Sequence, residues 1–277
     1  MQKKEFSTTI GGKTLTATFT DLAENANGSV MLRYGNTIVL ATAVMSENER
    51  QGIDYFPLTV DYEEKFYAAG QILGSRFIRR EGRPSDEAVL SGRAVDRTIR
   101  PLFDGHIRNE VQVVITVLSL EKDDPDVLAV NAASLALATS DIPWGGPVSA
   151  VRIGKLKGNS DLVVNPEYEV REHAENEIDM LVGGKDGNIT MIEAGAHEPA
   201  EAIVVNTLKY ASEELEKIQE FQKTIIAEMG REKRIMQKPE MPEDIRALFA
   251  DVVAPRLSKA VFTGKPGKTG VHELEHE

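Results

Sequence analysis

The early part of the chain alternates between apolar and polar positions. Leu15, Ala17 and Phe19 interleave with Thr14, Thr16, Thr18 and Thr20, the two-residue period of a strand with one wet face. Gly11-Gly12 predicts a turn back to a strand over 6–10. Gly35-Asn36 predicts a second hairpin between 29–34 and 37–44, and 56–62 reads as a further strand. The period then lengthens. Pro84-Ser85-Asp86-Glu87 opens a helix with Ser85 as N-cap, and Pro101 closes it. At ~100° per residue, Ala88, Gly92, Val95 and Ile99 share one face of that helix. Arg93, Arg97 and Arg100 share the opposite one. Residues 111–118 are β-branched and apolar, a buried strand. Residues 126–140 are rich in Ala and Leu and stop before Pro143, which predicts a helix packed closely through small side chains. Hairpins follow, turning near Gly158-Asn159 and at Asp186-Gly187. From 198 the pattern is helical to Gly230, a natural stop. Residues 239–242 read as a linker. A helix over 243–261 is kinked or split by Pro255, and the last fifteen residues are expected to fray.

A chain of 277 residues with 41% hydrophobic and 27% charged content can bury a sizeable core. Without cysteine there are no disulfides, thiolate nucleophiles or cysteine metal sites, which fits a cytoplasmic protein. No signal peptide is visible, and no apolar run approaches the ~20 residues of a membrane span. The five histidines lack paired metal-ligand spacing on a helix and read as surface residues. Gly-rich phosphate loops are absent.

Charge changes the picture more. The formal net charge is -12, yet residues 76–100 hold seven of the sixteen arginines against four acids. A local basic patch on an acidic chain points to an anion, most simply a polyphosphate or nucleic-acid backbone. Arginine forks match phosphate oxygens in pairs. Arg79, Arg80 and Arg83 beside Phe77 suit single-stranded nucleic acid, where bases stack and phosphates pair. The competing reading is a solvated helix face with local pairs such as Asp96 with Arg100 at i, i+4. The residues alone leave both open.

Longer motifs carry a resemblance. The run Phe77-Ile78-Arg79-Arg80-Glu81-Gly82-Arg83-Pro84-Ser85 and the run Arg93-Ala94-Val95-Asp96-Arg97-Thr98-Ile99-Arg100-Pro101-Leu102-Phe103 resemble the first core domain of bacterial polynucleotide phosphorylases. Phe56-Pro57-Leu58-Thr59-Val60-Asp61-Tyr62, Tyr67-Ala68-Ala69-Gly70 and Asn109-Glu110-Val111-Gln112-Val113 match too. So does Ala132-Ala133-Ser134-Leu135-Ala136-Leu137 with Ile142-Pro143. The resemblance implies an α/β fold of the RNase PH type, a mixed sheet with flanking helices. It divides the chain into a first core domain over 1–236 and the start of an all-helical linker domain over 237–277. It also implies phosphorolysis of RNA from the 3′ end, with inorganic phosphate as co-substrate and Mg2+ in the full enzyme. Single-stranded RNA would be the partner, in a ring-shaped homotrimer, with no DNA specificity and no membrane.

The same resemblance assigns roles. Phe77, Arg79 and Arg80 would sit on the loop that grips RNA in the ring's pore, with Arg83 and Arg100 as further RNA contacts. Ile78 stands where the family usually has a second aromatic. Arg93 and Arg97 would support the substrate site formed by a second core copy. That copy carries consecutive serines before its small-residue helix and an Asp-x-Lys on a later strand. Here the matching places read Pro125-Asp126 and Asp179-Met180-Leu181, so no convincing phosphate or metal ligand set is expected and Asp179 reads as a strand-edge charge. A non-catalytic RNA-binding ring subunit and a purely structural oligomer are the alternatives.

Overall fold

The computed structural model describes residues 3–72, 74, 82–158, 161–173, 175–238, 240–262 and 269–276. The chain falls into two compact units, Met1–Met236 and Gln237–Glu277.

The first unit begins with four strands joined by tight turns. They are β1 (Lys3–Ile10), β2 (Lys13–Thr20), β3 (Gly28–Tyr34) and β4 (Thr37–Glu49), paired antiparallel in sequence order. The predicted turns lie at Gly11-Gly12 and Gly35, all three at positive φ, where glycine carries no steric cost. Next come β5 (Leu58–Glu64), α1 (Asp86–Ile99) and β6 (Asn109–Ser119). β6 inserts beside β4, and β5 joins outside it in parallel, so the sheet is mixed, with order β1-β2-β3-β4-β6-β5. α1 is the crossover between the two parallel strands, the connection that parallel pairing requires.

After β6 comes α2 (Pro125–Thr139), every residue of which is buried except Asp126. It packs on β3 and β4 on one side and on β7 (Ser149–Leu156) on another. A helix that is apolar all round belongs in the middle of a core, and its alanines let the sheets approach. Gly28 on β3 shows how closely: a Cβ there would lie 2.1 Å from the Ala136 carbonyl oxygen. β7 belongs to a second, antiparallel sheet with β8 (Val163–Val164), β9 (Asn176–Lys185) and β10 (Asn188–Ala196), in the order β10-β9-β7-β8. Its β9–β10 hairpin turns at Asp186-Gly187 as the sequence indicates, both at positive φ. The short helix α3 (Tyr168–Arg171) precedes β9, and the long helix α4 (Glu201–Met229) packs on β7 and β9.

In the second unit, α5 (Glu243–Leu248) widens into a π-turn over Phe249–Val253 and continues as α6 (Ala254–Phe262). The change in winding falls just before Pro255, whose missing N–H and ring bulk do not fit a regular α turn. The tail differs from expectation. Thr269–His276 forms a helix, α7, rather than fraying, and His272 and Glu275 meet one turn apart at 3.4 Å. Its Glu and Leu residues are good helix formers, and that propensity outweighs the usual tendency of a chain end to fray.

Candidate nucleic-acid interface

α1 forms where the local signals put it. Ser85 accepts the Ala88 amide at 3.0 Å, and Asp86 and Glu87 occupy the first turn, where the helix dipole favours acids. Ala88, Gly92, Val95 and Ile99 are buried against β5 and α2. Arg93 and Arg97 stand exposed on the other side. Arg93 lies 3.8 Å from Asp96, and Arg97 has no ion-pair partner among the described residues.

Arg100 departs from its place in that row. It is half-buried, donates to Asp96 through Nε at 2.9 Å, and reaches the carbonyls of Phe56 and Leu58 at 3.4 and 3.1 Å. Its fork is committed to tying the end of α1 to the start of β5. Helical spacing puts its Cα on the arginine face, but a long side chain at the helix end can bend inward. The Asp96–Arg100 pair at i, i+4 is present at 2.8 Å.

Arg83 is exposed at the rim of a cavity of about 1080 Å³ at the carboxyl ends of β5 and β6, with Tyr62, Lys65 and Tyr67 among its other lining residues. Phe77, Arg79 and Arg80 lie outside the described residues. His106 departs from a surface reading, because its Nε2 is buried without a hydrogen-bond partner.

The head of α2 holds a feature that the sequence did not disclose. Arg152 on β7 is 7% exposed. It donates to Asp124 through Nε and to Asp179 at 3.1 Å through Nη1, with Asp126 3.6 Å from Nη2. Arg171 adds contacts to Asp179 at 3.0 Å and Asp124 at 3.3 Å. Two arginines and three aspartates thus join α2, α3 and both central strands of the second sheet. Asp124 also caps α2 by accepting the Asp126 amide at 2.9 Å. Burial, and then the neighbouring Asp124, push the Asp126 carboxyl up to about 6, against the opposing pull of Ser91, Arg152 and Arg171. Asp179 is therefore no strand-edge charge: β9 is an inner strand, and its carboxylate is held by two guanidiniums. A lone arginine in the apolar run Ala150-Val151-Arg152-Ile153 was the available signal, since a buried charge needs a partner.

These carboxylates do not fit a divalent cation. Such ions take several oxygens at once, and here the oxygens face a guanidinium. Among the described residues no group of three or more His, Asp or Glu could hold a metal.

Known proteins agree with this architecture. Residues 12–143 match the model of the 3′ exoribonuclease family, domain 1 (RNase PH). The rice (Oryza sativa) protein Rrp46 shares the fold, with a TM-score of 0.61 at 14% identity over 81% of this chain and 94% of that one. The class is thus an RNase PH-type domain. The polyribonucleotide nucleotidyltransferase of Syntrophomonas wolfei is 44% identical over 93% of this chain and 36% of its own length. That of Thermomicrobium roseum is 45% identical over 96% and 33%. The chain belongs, as an N-terminal region, to the polyribonucleotide nucleotidyltransferase family, and it spans about a third of the length of these relatives. The resemblance carried by the arginine motifs and the mixed α/β fold expected from it both hold.

Proposed function

We propose that the chain is the RNA-handling first core of a phosphate-dependent 3′-to-5′ exoribonuclease. In that reaction inorganic phosphate attacks the terminal phosphodiester, releasing a nucleoside diphosphate and an RNA shorter by one nucleotide. The observation that carries this reading is the exposed Arg93–Arg97 stripe on a chain of net charge -12. Guanidiniums held on a rigid helix neutralise backbone phosphates and any charge that develops near the reacting end. Arg83 is a further exposed arginine, and Phe77, Arg79 and Arg80, which precede it in sequence, are the RNA contacts that the resemblance implies. The phosphate-binding and Mg2+-binding groups belong to a second core copy, because the matching positions here are filled by the Arg152 network. Residues 237–277 are the start of the helical linker domain. Assembly into a ring trimer and action in the cytoplasm complete the proposal. No described helix is long and apolar enough to cross a membrane.

Binding of oligo(A) measured against salt tests the reading. Replacing Arg79 and Arg80 with Ala should flatten the slope of log K against log salt by ~1.4, at ~0.7 per phosphate contact. An unchanged slope and affinity would reject the RNA assignment of this segment.

A further inference from the structure

The local cap of α2 is partial: Ser140 returns its amide at 3.3 Å and its hydroxyl at 2.8 Å to the Leu137 carbonyl. A helix leaves its last four carbonyls without intrahelical partners, and its negative end favours a cation. The last turn of α2 contains no basic residue, and Ser140 stands in the position after it with extended backbone rather than a left-handed glycine. Further partners, including those of Ala138, Thr139 and Ser140, come from a segment more than ninety residues away. After α4, residues 231–236 run back across this helix end. The Lys233 ammonium donates to the carbonyls of Leu137 at 2.7 Å, Ala138 at 3.0 Å and Ser140 at 2.7 Å. The Arg231 amide takes the Thr139 carbonyl between them at 3.2 Å. Beyond Lys233, Arg234 binds Asp141 twice, by its amide at 2.8 Å and its Nε at 2.6 Å. Asn27 holds the other carboxylate oxygen of Asp141 at 2.9 Å.

We propose that residues 231–236 form a latch that Lys233 closes on the carboxyl end of α2. Three ammonium hydrogens match three converging carbonyls, so a neutral side chain cannot close it. Arginine can, because it keeps the charge and carries more donors. The latch is the last segment of the first unit. It therefore fixes the point from which the chain continues into residue 237, and it makes that point depend on the most buried helix of the core. Burial brings the ammonium down to about 8, with Asp141 opposing, so the group is still charged at pH 7.

Amide hydrogen exchange at pH 7 tests this on the whole chain with Lys233→Met and Lys233→Arg. In the Met variant the amides of Arg231 and Arg234 should exchange at least ~10-fold faster, while the amides of β4 and β6 keep wild-type rates. The Arg variant should stay within ~3-fold of wild type throughout. Wild-type rates for Arg231 and Arg234 in the Met variant would overturn the latch. So would acceleration by one common factor in strap and sheet, which reports lost global stability instead. Should the Met variant not fold, Asp141→Asn gives the second reading. It removes an Arg234 contact and leaves Lys233 in place, so the Arg231 amide should remain protected. Release of both amides together in that variant would show that Asp141, not Lys233, closes the strap.

Discussion

Asp126 shows how one carboxyl makes stability depend on pH. Its folded value of about 6 lies above the ordinary 3.8, so the native state holds this proton more tightly than the unfolded chain. That contribution is fully present below pH ~4 and is lost as pH rises through 6. Its upper bound is ~3 kcal/mol, at ~1.4 kcal/mol for each tenfold gain in proton affinity. Asp126→Asn should therefore be more stable than wild type at pH 8, with the advantage shrinking toward pH 4. Urea denaturation at both pH values measures it, and an equal difference at the two would contradict the assignment. Arg100 gives a second residue-scale expectation. Arg100→Ala should cost ~1–3 kcal/mol, because it removes the Arg100 donor to the Leu58 carbonyl and the pair with Asp96, while the Phe56 carbonyl keeps the Leu58 amide. It should leave the salt slope of RNA binding unchanged, which separates it from Arg79 and Arg80. Arg100 and Arg152 mark the limit of sequence reading. Helical spacing gave Arg100 the correct face but not the reach of its side chain. The partners of Arg152 lie 27 and 28 residues away in sequence, brought together only when α2 meets the second sheet.

At the scale of elements, the first half of the chain was legible because its signals are local. Alternation, Gly turns, the Ser85 cap and Pro101 each act within a few residues. Ser85→Ala should accordingly cost ~1 kcal/mol and fray the start of α1, readable by thermal denaturation. The ends of α2 and the helical tail were less legible, since what completes them comes from elsewhere or from propensity rather than pattern. Gly28→Ala tests the closeness of α2 to β3. A methyl group 2.1 Å from the Ala136 carbonyl forces helix and strand apart. A loss of more than ~2 kcal/mol is expected, beyond the usual range of a surface change. A variant of wild-type stability would mean that the strand can give way at that point.

For the molecule as a whole, the absence of phosphorolysis by this chain is the central expectation. Arg152 and Arg171 already neutralise Asp124 and Asp179, and Leu181 stands where the resemblance calls for lysine. Incubation with oligo(A), phosphate and Mg2+ should release no nucleoside diphosphate, and robust release would move the chemistry back into this domain. The mixed sheet with flanking helices was readable from the family motifs between residues 56 and 143, whereas the separate antiparallel sheet on the other side of α2 was not, because its hairpin signals do not say which sheet they join. The ion network was not, because no motif announces a buried charge whose partners are scattered.

The parallel pairing of β5 with β6 has a consequence in time. β1 to β4 can zip up as successive hairpins while the chain is being made. β5 has only one neighbour in the sheet, and that neighbour is β6, which begins 45 residues after β5 ends. The strand must wait, with the whole arginine-rich segment behind it, until residues 109–119 emerge and dock on β4. Non-local pairing of this kind is slow, because closing a long loop comes before the contacts that reward it. In pulse-labelled refolding the β5 amides should gain protection no earlier than those of β6. A cell that makes this protein therefore completes the β5 edge of the sheet only after residues 109–119 have emerged and paired with β4.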